Sequence, residues 1–167
     1  RTFVAGTAFH AYAGNVAAMS AVHAAHPDKG LYFTEISGGA WATDFSANLM
    51  WYMENILIGT VNNWSKNALF WNLALDQFYG PQNNGCSNCR GVVTINDGNG
   101  SVVKNEEYYA LAHFTEAVKP GAVKVATTIP STLSTLIGVS FLNPDGSKSL
   151  VVCNEGNENK VFTVKQA

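Results

Sequence analysis

Leu31-Tyr32-Phe33-Thr34-Glu35-Ile36-Ser37-Gly38-Gly39 decides the fold of this chain, because a short apolar strand ends there in one carboxylate facing a glycine-rich loop. Enzymes built on parallel strands bind ligands at the carboxyl ends of those strands. Glycine in the loop lets a substrate approach the backbone. Glu35 is therefore a candidate catalytic residue. A Glu closing a strand is also an ordinary solvated strand end or helix cap, so the rest of the chain has to decide between the two.

Outward from this run, apolar strands alternate with helical segments. Residues 3–9 read as a buried strand, and the reading begins at Thr2 without the charged, apolar and small-residue sequence of an export signal. Asn15 is a good helix N-cap, Val16, Met19, Val22 and Ala25 form a helical stripe, and Pro27 stops it. Residues 31–34 are the second strand. A longer helix starts at Thr43 or Asp44, with Phe45, Leu49, Met53, Ile56 and Leu57 at three- and four-residue spacing. Residues 69–73 (Leu-Phe-Trp-Asn-Leu) read as the third strand. Such repeated βα units predict an α/β fold with a parallel sheet covered on both faces.

A Gly/Asn/Pro/Cys-rich loop follows over residues 77–91, then an apolar stretch at 92–95 and a turn at 97–100. The last helix is capped by Asn105, has Glu106 and Glu107 in its positive first turn and Lys119 in its last, and ends at Pro120-Gly121. Beyond it, residues 123–128, 135–142, 149–153 and 160–164 read as strands of an antiparallel module, with Asn143-Pro144-Asp145-Gly146 as a turn. Both ends of the chain read as cut.

Composition narrows the class. The chain has 167 residues, 47% hydrophobic and only 13% charged, which predicts a well-buried core and excludes disorder. The net charge of −2, with no Lys/Arg-rich run, leaves no footprint for nucleic acid. No apolar stretch approaches the roughly 20 residues a membrane helix needs. Of three cysteines, Cys86 and Cys89 form a CxxC in a Gly/Asn loop. A redox pair belongs at a helix N-terminus beside a strand, and zinc needs two further ligands that no nearby residues supply. A loop-stiffening Cys86–Cys89 disulfide in an exported protein is the better reading, with Cys153 a buried free thiol. No cofactor or metal is expected.

Each parallel strand ends in groups able to touch a polar ligand: His10 and Tyr12 after the first, Glu35 after the second, and Trp71, Asn72 and Asp76 at and after the third. Aromatic floors for the apolar face of a sugar ring, beside His, Asn and carboxylate partners for its hydroxyls, make a carbohydrate site. Each member has an ordinary alternative. Trp71 is a sugar platform or core packing, His10 and Tyr12 are substrate contacts or a structural pair, and Asn72 and Asp76 contact substrate or finish the strand and its loop. Trp41 lines the site entrance or not, while Trp51 and Trp64 are expected to pack.

His10-Ala11-Tyr12-Ala13-Gly14, Tyr32-Phe33-Thr34-Glu35, Trp71-Asn72-Leu73-Ala74-Leu75-Asp76 with Gly80-Pro81, Tyr108-Tyr109-Ala110-Leu111-Ala112-His113-Phe114 and Asn143-Pro144-Asp145-Gly146-Ser147 resemble, in order, the motifs of glycoside hydrolase family 30. That family includes glucosylceramidases and β-1,6-glucanases, and the loop from Gly85 to Gly91 resembles the microbial glucanase type. The resemblance implies a (β/α)₈ TIM barrel with a side β-sandwich. Residues 1–120 would be the last three βα units, strands six to eight, and residues 121–167 part of the sandwich.

It also implies that Glu35 is the nucleophile of a retaining β-glycosidase, oriented by His10 and Tyr12. Such enzymes need a second carboxyl group about 5–5.5 Å away as acid/base. In the family it lies in an Asn-Glu-Pro motif, which this chain lacks; Asn105-Glu106-Glu107 opens a helix and Asn154-Glu155-Gly156 lies in the β module. The expectation is a secreted enzyme acting on a β-glucan or β-glucoside, of which this chain alone is inactive or a non-catalytic carbohydrate-binding piece.

Overall fold

The computed structural model describes residues 3–166, so the Thr2 start of the first predicted strand lies outside the described residues. The parallel sheet is present. Strand β1 (Gly6–His10) leads through helix α1 (Ala17–Ala25) to β2 (Gly30–Glu35). A short strand β3 (Gly38–Gly39) follows, then a long helical element made of α2 (Phe45–Trp51), a π-helical segment (Tyr52–Ile58) and α3 (Gly59–Asn62). It leads into β4 (Ser65–Ala68), and β1, β2 and β4 form one parallel sheet in that order.

Asp44 caps α2 as its side-chain chemistry predicts, accepting from the Ala47 amide at 2.9 Å; α1 instead has Val16 at its N-cap, with Asn15 just before it accepting from the Ala17 amide at 3.0 Å. Burial concentrates on β2, whose Leu31 and Phe33 are 2% exposed, each worth about 1.5–3 kcal/mol on leaving water. Contrary to expectation, β1 is not covered on both faces: it is a sheet edge, with Thr7 and Ala8 exposed.

The third strand is also displaced from its predicted place. The ladder runs through Ser65–Ala68, not residues 69–73, because the Ser65 hydroxyl accepts from the Phe33 amide at 3.0 Å and donates to the Asn67 carbonyl at 2.7 Å. This side-chain bond replaces a backbone one in an irregular register that apolar patterning does not mark. Residues 69–71 still run alongside β2, with the Leu69 amide on the Phe33 carbonyl and the Trp71 amide on that of Ile36, while Leu73 is exposed.

A small sheet then forms from β5 (Ala74–Asp76), with β6 (Cys89–Arg90) pairing antiparallel to β3, and β7 (Val93–Ile95) lying between β5 and β8 (Val102–Lys104). Helix α4 (Glu106–Thr115) starts after Asn105, but no Asn105 side-chain cap forms. The Asn105 amide is instead drawn to the Gly91 carbonyl and Thr94 Oγ1, at 2.8 and 2.9 Å. The helix stops before Lys119, whose ammonium pairs with Asp145 at 2.6 Å.

The final module is an antiparallel sheet of β9 (Val123–Val125), β10 (Leu136–Leu142) and β11 (Lys148–Asn154), with β10 central. The strand expected at residues 160–164 does not form a ladder: Val161 is 95% exposed, and Phe162 and Val164 line a groove with Leu150 and Val152 without joining the sheet. Val139, Phe141 and Val151 share one apolar cluster with Phe33, Met53, Ile56 and Phe114, so this module packs on the same core as the parallel sheet. Trp51 and Trp64 pack against neighbouring rings while staying part-exposed: Trp64 stacks on His23 at 3.9 Å and Trp51 meets Tyr52 edge-on. Cys153 is a free thiol, half-buried rather than buried.

Candidate active site

The carboxyl ends of β1 and β2 bring Glu35, His10 and Tyr12 together. A bulge between Phe9 and His10 shifts the register so that His10 pairs with Glu35. The Tyr12 hydroxyl donates to Glu35 Oε1 at 2.9 Å. His10 Nδ1 lies 3.8 Å from the same oxygen, too far for a hydrogen bond, and its ring meets Tyr12 edge-on. Burial of the phenol, then the hydrogen bond and negative charge of Glu35, push Tyr12 up to about 12, and the Ser37 backbone amide offsets part of the rise. Glu35 Oε2 has no protein hydrogen bond among the described residues, and the side chain is 35% exposed.

The other predicted residues divide. Trp41 is 56% exposed and its ring lies over Gly39, the position a Gly39 Cβ would fill, so an aromatic face stands beside the loop after Glu35. Trp71 is half-buried and bridges to Ser37 next to that loop. Asn72 and Asp76 serve the backbone. Asn72 Oδ1 accepts from the Ala74 amide at 2.9 Å, and Asp76 Oδ1 accepts from Phe78 and Gly80 amides, both at 2.7 Å.

Cys86 and Cys89 are joined by a disulfide. Its loop is tied to the one after Glu35: Gly39 pairs with Cys89, Gly38 with Arg90, and the Ala40 amide donates to the Asn88 carbonyl at 2.9 Å. Among the described residues, no group of three or more His, Cys, Asp or Glu side chains could hold a metal ion.

One cluster escaped sequence reasoning. Glu106 and Glu107, read only as favourable first-turn acids, are 5% and 1% exposed. The Arg90 guanidinium bridges them, at 2.7 Å to Glu106 Oε2 and 3.1 Å to Glu107 Oε1. Tyr52, from the π-helical segment, donates to Glu107 Oε1 at 2.8 Å, and Asn48 reaches Glu106. Burial by itself would lower the Arg90 pKa, but the hydrogen bond and charge of Glu107, then the charge of Glu106, hold it raised; burial and Glu107 likewise keep Tyr52 protonated. The sequence signal was there: two adjacent acids in an apolar helix, with a single Arg in a loop otherwise free of cations.

The chain is similar to known proteins in both sequence and fold. Residues 121–167 match the glycosyl hydrolase family 30 beta sandwich domain. The endo-1,6-beta-D-glucanase neg1 of Aspergillus fumigatus is 32% identical over 97% of this chain and 33% of its own length. The endo-1,6-beta-D-glucanase BGN16.3 of Trichoderma harzianum is 32% identical over 93% of the chain and 32% of its own. The chain thus spans about a third of the length of these curated relatives. The solved structure of the endo-beta1,6-glucanase BT3312 superposes with a TM-score of 0.89 at 40% identity, covering 95% of this chain and 36% of that one. With its β module matched by the family's own sandwich domain and nearly all of its length matched by these enzymes in sequence and fold, the chain belongs to glycoside hydrolase family 30.

Proposed function

We propose that this chain carries the nucleophile half of a retaining β-glycosidase that hydrolyses β-1,6-linked glucan, with Glu35 attacking the anomeric carbon. The observation that carries the reading is the asymmetric treatment of the Glu35 carboxylate. Tyr12 donates to Oε1 and His10 stands behind the same oxygen, while Oε2 has no protein hydrogen bond among the described residues. A nucleophilic carboxylate reacts as the anion through one oxygen, and a hydrogen bond on the other fixes the orientation of the attack. Trp41, and Trp71 beside the loop, supply aromatic faces for sugar rings. The choice of β-1,6-glucan as substrate rests on the relatives' names, endo-1,6-beta-D-glucanase.

On this reading β1, β2 and β4 are three consecutive strands of a (β/α)₈ barrel, residues 1–120 its contribution, and residues 121–167 a part of the side sandwich. The acid/base that protonates the leaving oxygen belongs to a separate strand end, in a motif these residues do not contain. The Cys86–Cys89 bond suits an extracytoplasmic enzyme. A mechanism-based fluorosugar applied to the full-length protein should label Glu35, and Glu35→Gln should lower turnover of β-1,6-glucan by several orders of magnitude with the fold intact. Labelling of any other carboxylate, or near-normal turnover by the variant, would refute the assignment.

A further inference from the structure

We infer that Arg90 is a positioning residue for the Glu35 carboxylate, acting through the Gly38–Gly39 backbone, which Arg90's own strand and its partner Glu107 clamp from two sides; the inference rests on the reading of Glu35 as nucleophile. Arg90 works at both ends of this clamp. Its backbone pairs with Gly38 across β3 and β6, and its guanidinium fixes Glu106 and Glu107 at the start of α4. Glu107 Oε1 in turn lies against Gly38, in the space a Gly38 Cβ would occupy, with the Tyr52 hydroxyl behind it. The path to the carboxylate is short: Gly38 lies three residues along the chain from Glu35, and Tyr12 holds Glu35 Oε1.

The cluster is a poor device for stability alone. Two buried carboxylates share one guanidinium, and Glu107 Oε2, on a side chain 1% exposed, has no hydrogen-bond partner among the described residues. Buried ion clusters of this kind are commonly no more stabilising than apolar side chains of similar volume. Their worth is geometric: the planar fork of Arg reaches two carboxylates at once, which a Lys ammonium cannot copy. A shift of about 1 Å at a reacting group costs about 100-fold in rate, so a clamp three residues from Glu35 matters to the chemistry.

The test uses the full-length protein with Arg90→Met, Arg90→Lys and Gly38→Ala, together with the neutral triple variant Arg90→Met/Glu106→Gln/Glu107→Gln. Arg90→Met should lower kcat by about 10- to 100-fold while KM for a short substrate changes by less than about twofold, with Arg90→Lys intermediate. Gly38→Ala keeps every charge but pushes Glu107 away, and should give the same kcat loss. In both, the Tyr12 phenol, which meets His10, Glu35 and the Ser37 backbone, should titrate away from the value of about 12 that it has in the parent protein. The triple variant should stay folded without regaining kcat. Normal kcat in folded Arg90→Met, an unmoved Tyr12 titration, or full recovery in the triple variant would each overturn the inference. Turnover surviving Glu35→Gln would instead sink the nucleophile reading, and the Tyr12 titration would still report on the clamp.

Discussion

Tyr12 keeps its proton well into the alkaline range because burial disfavours the phenolate, and because the neutral form donates to Glu35 whereas the ionised form would set a phenolate against a carboxylate. The sign follows. With the folded pKa raised from 10.0 to about 12, the protonated phenol favours the folded state fully below pH 10, and that preference is lost as pH climbs through about 12. In an ultraviolet tyrosine titration, the difference between the protein and Tyr12→Phe should be one phenol ionising near pH 12. A missing phenol at the ordinary 10 would refute the contact. His10, Tyr12 and Glu35 were legible as strand-end residues; their hydrogen bond was not. It depends on a bulge at Phe9 and His10, and a one-residue change of register turns a side chain to the opposite face.

At the scale of elements, the Asn143-Pro144-Asp145-Gly146 turn does more than reverse the chain. Asn143 is 3% exposed; its Oδ1 accepts from the Lys119 amide at 3.0 Å, and its Nδ2 donates to the Ala117 carbonyl at 3.1 Å and to Ser147 and Ser149 hydroxyls at 2.9 Å. One side chain thereby fastens the segment after α4 to the β10–β11 hairpin. Asn143→Ala leaves several of these buried groups unmade and should destabilise the protein by about 1–3 kcal/mol, measured by urea unfolding. Asn143→Asp should be worse than a surface change of the same kind, because an acceptor-only side chain cannot serve the Ala117 carbonyl. An unfolding midpoint unmoved in both variants would contradict this.

The elements themselves were mostly legible, since Asp44, Asn15 and Pro27 mark helix ends by local chemistry. Two were misplaced for non-local reasons. β4 is polar and depends on the Ser65 hydroxyl, and residues 160–164 alternate like a strand but pair with no strand among the described residues. The Arg90 cluster was hidden because Glu106 and Glu107 obey a local helix rule that accounts for them without burial.

Across the whole molecule, one apolar cluster joins the parallel sheet, the π-helical segment and the β module, while β1 and β4 end as open edges and an apolar groove lies between β4 and β9. The proposed nucleophile half-site is therefore held by a continuous core, and on that proposal its chemistry is unfinished. Retaining hydrolysis needs a second carboxyl group about 5–5.5 Å from the first. Asp76 is spent on loop amides, and Glu106 and Glu107 are spent on Arg90. Positioned acid/base catalysis contributes about 10²–10⁴ in rate, so the 167 residues alone should show no measurable turnover of an aryl β-glucoside, even with the Tyr12–Glu35 contact intact by tyrosine titration. Turnover by these residues that Glu35→Gln abolishes would mean that an acid on this chain completes the site, and the two-part reading of the enzyme would have to be given up.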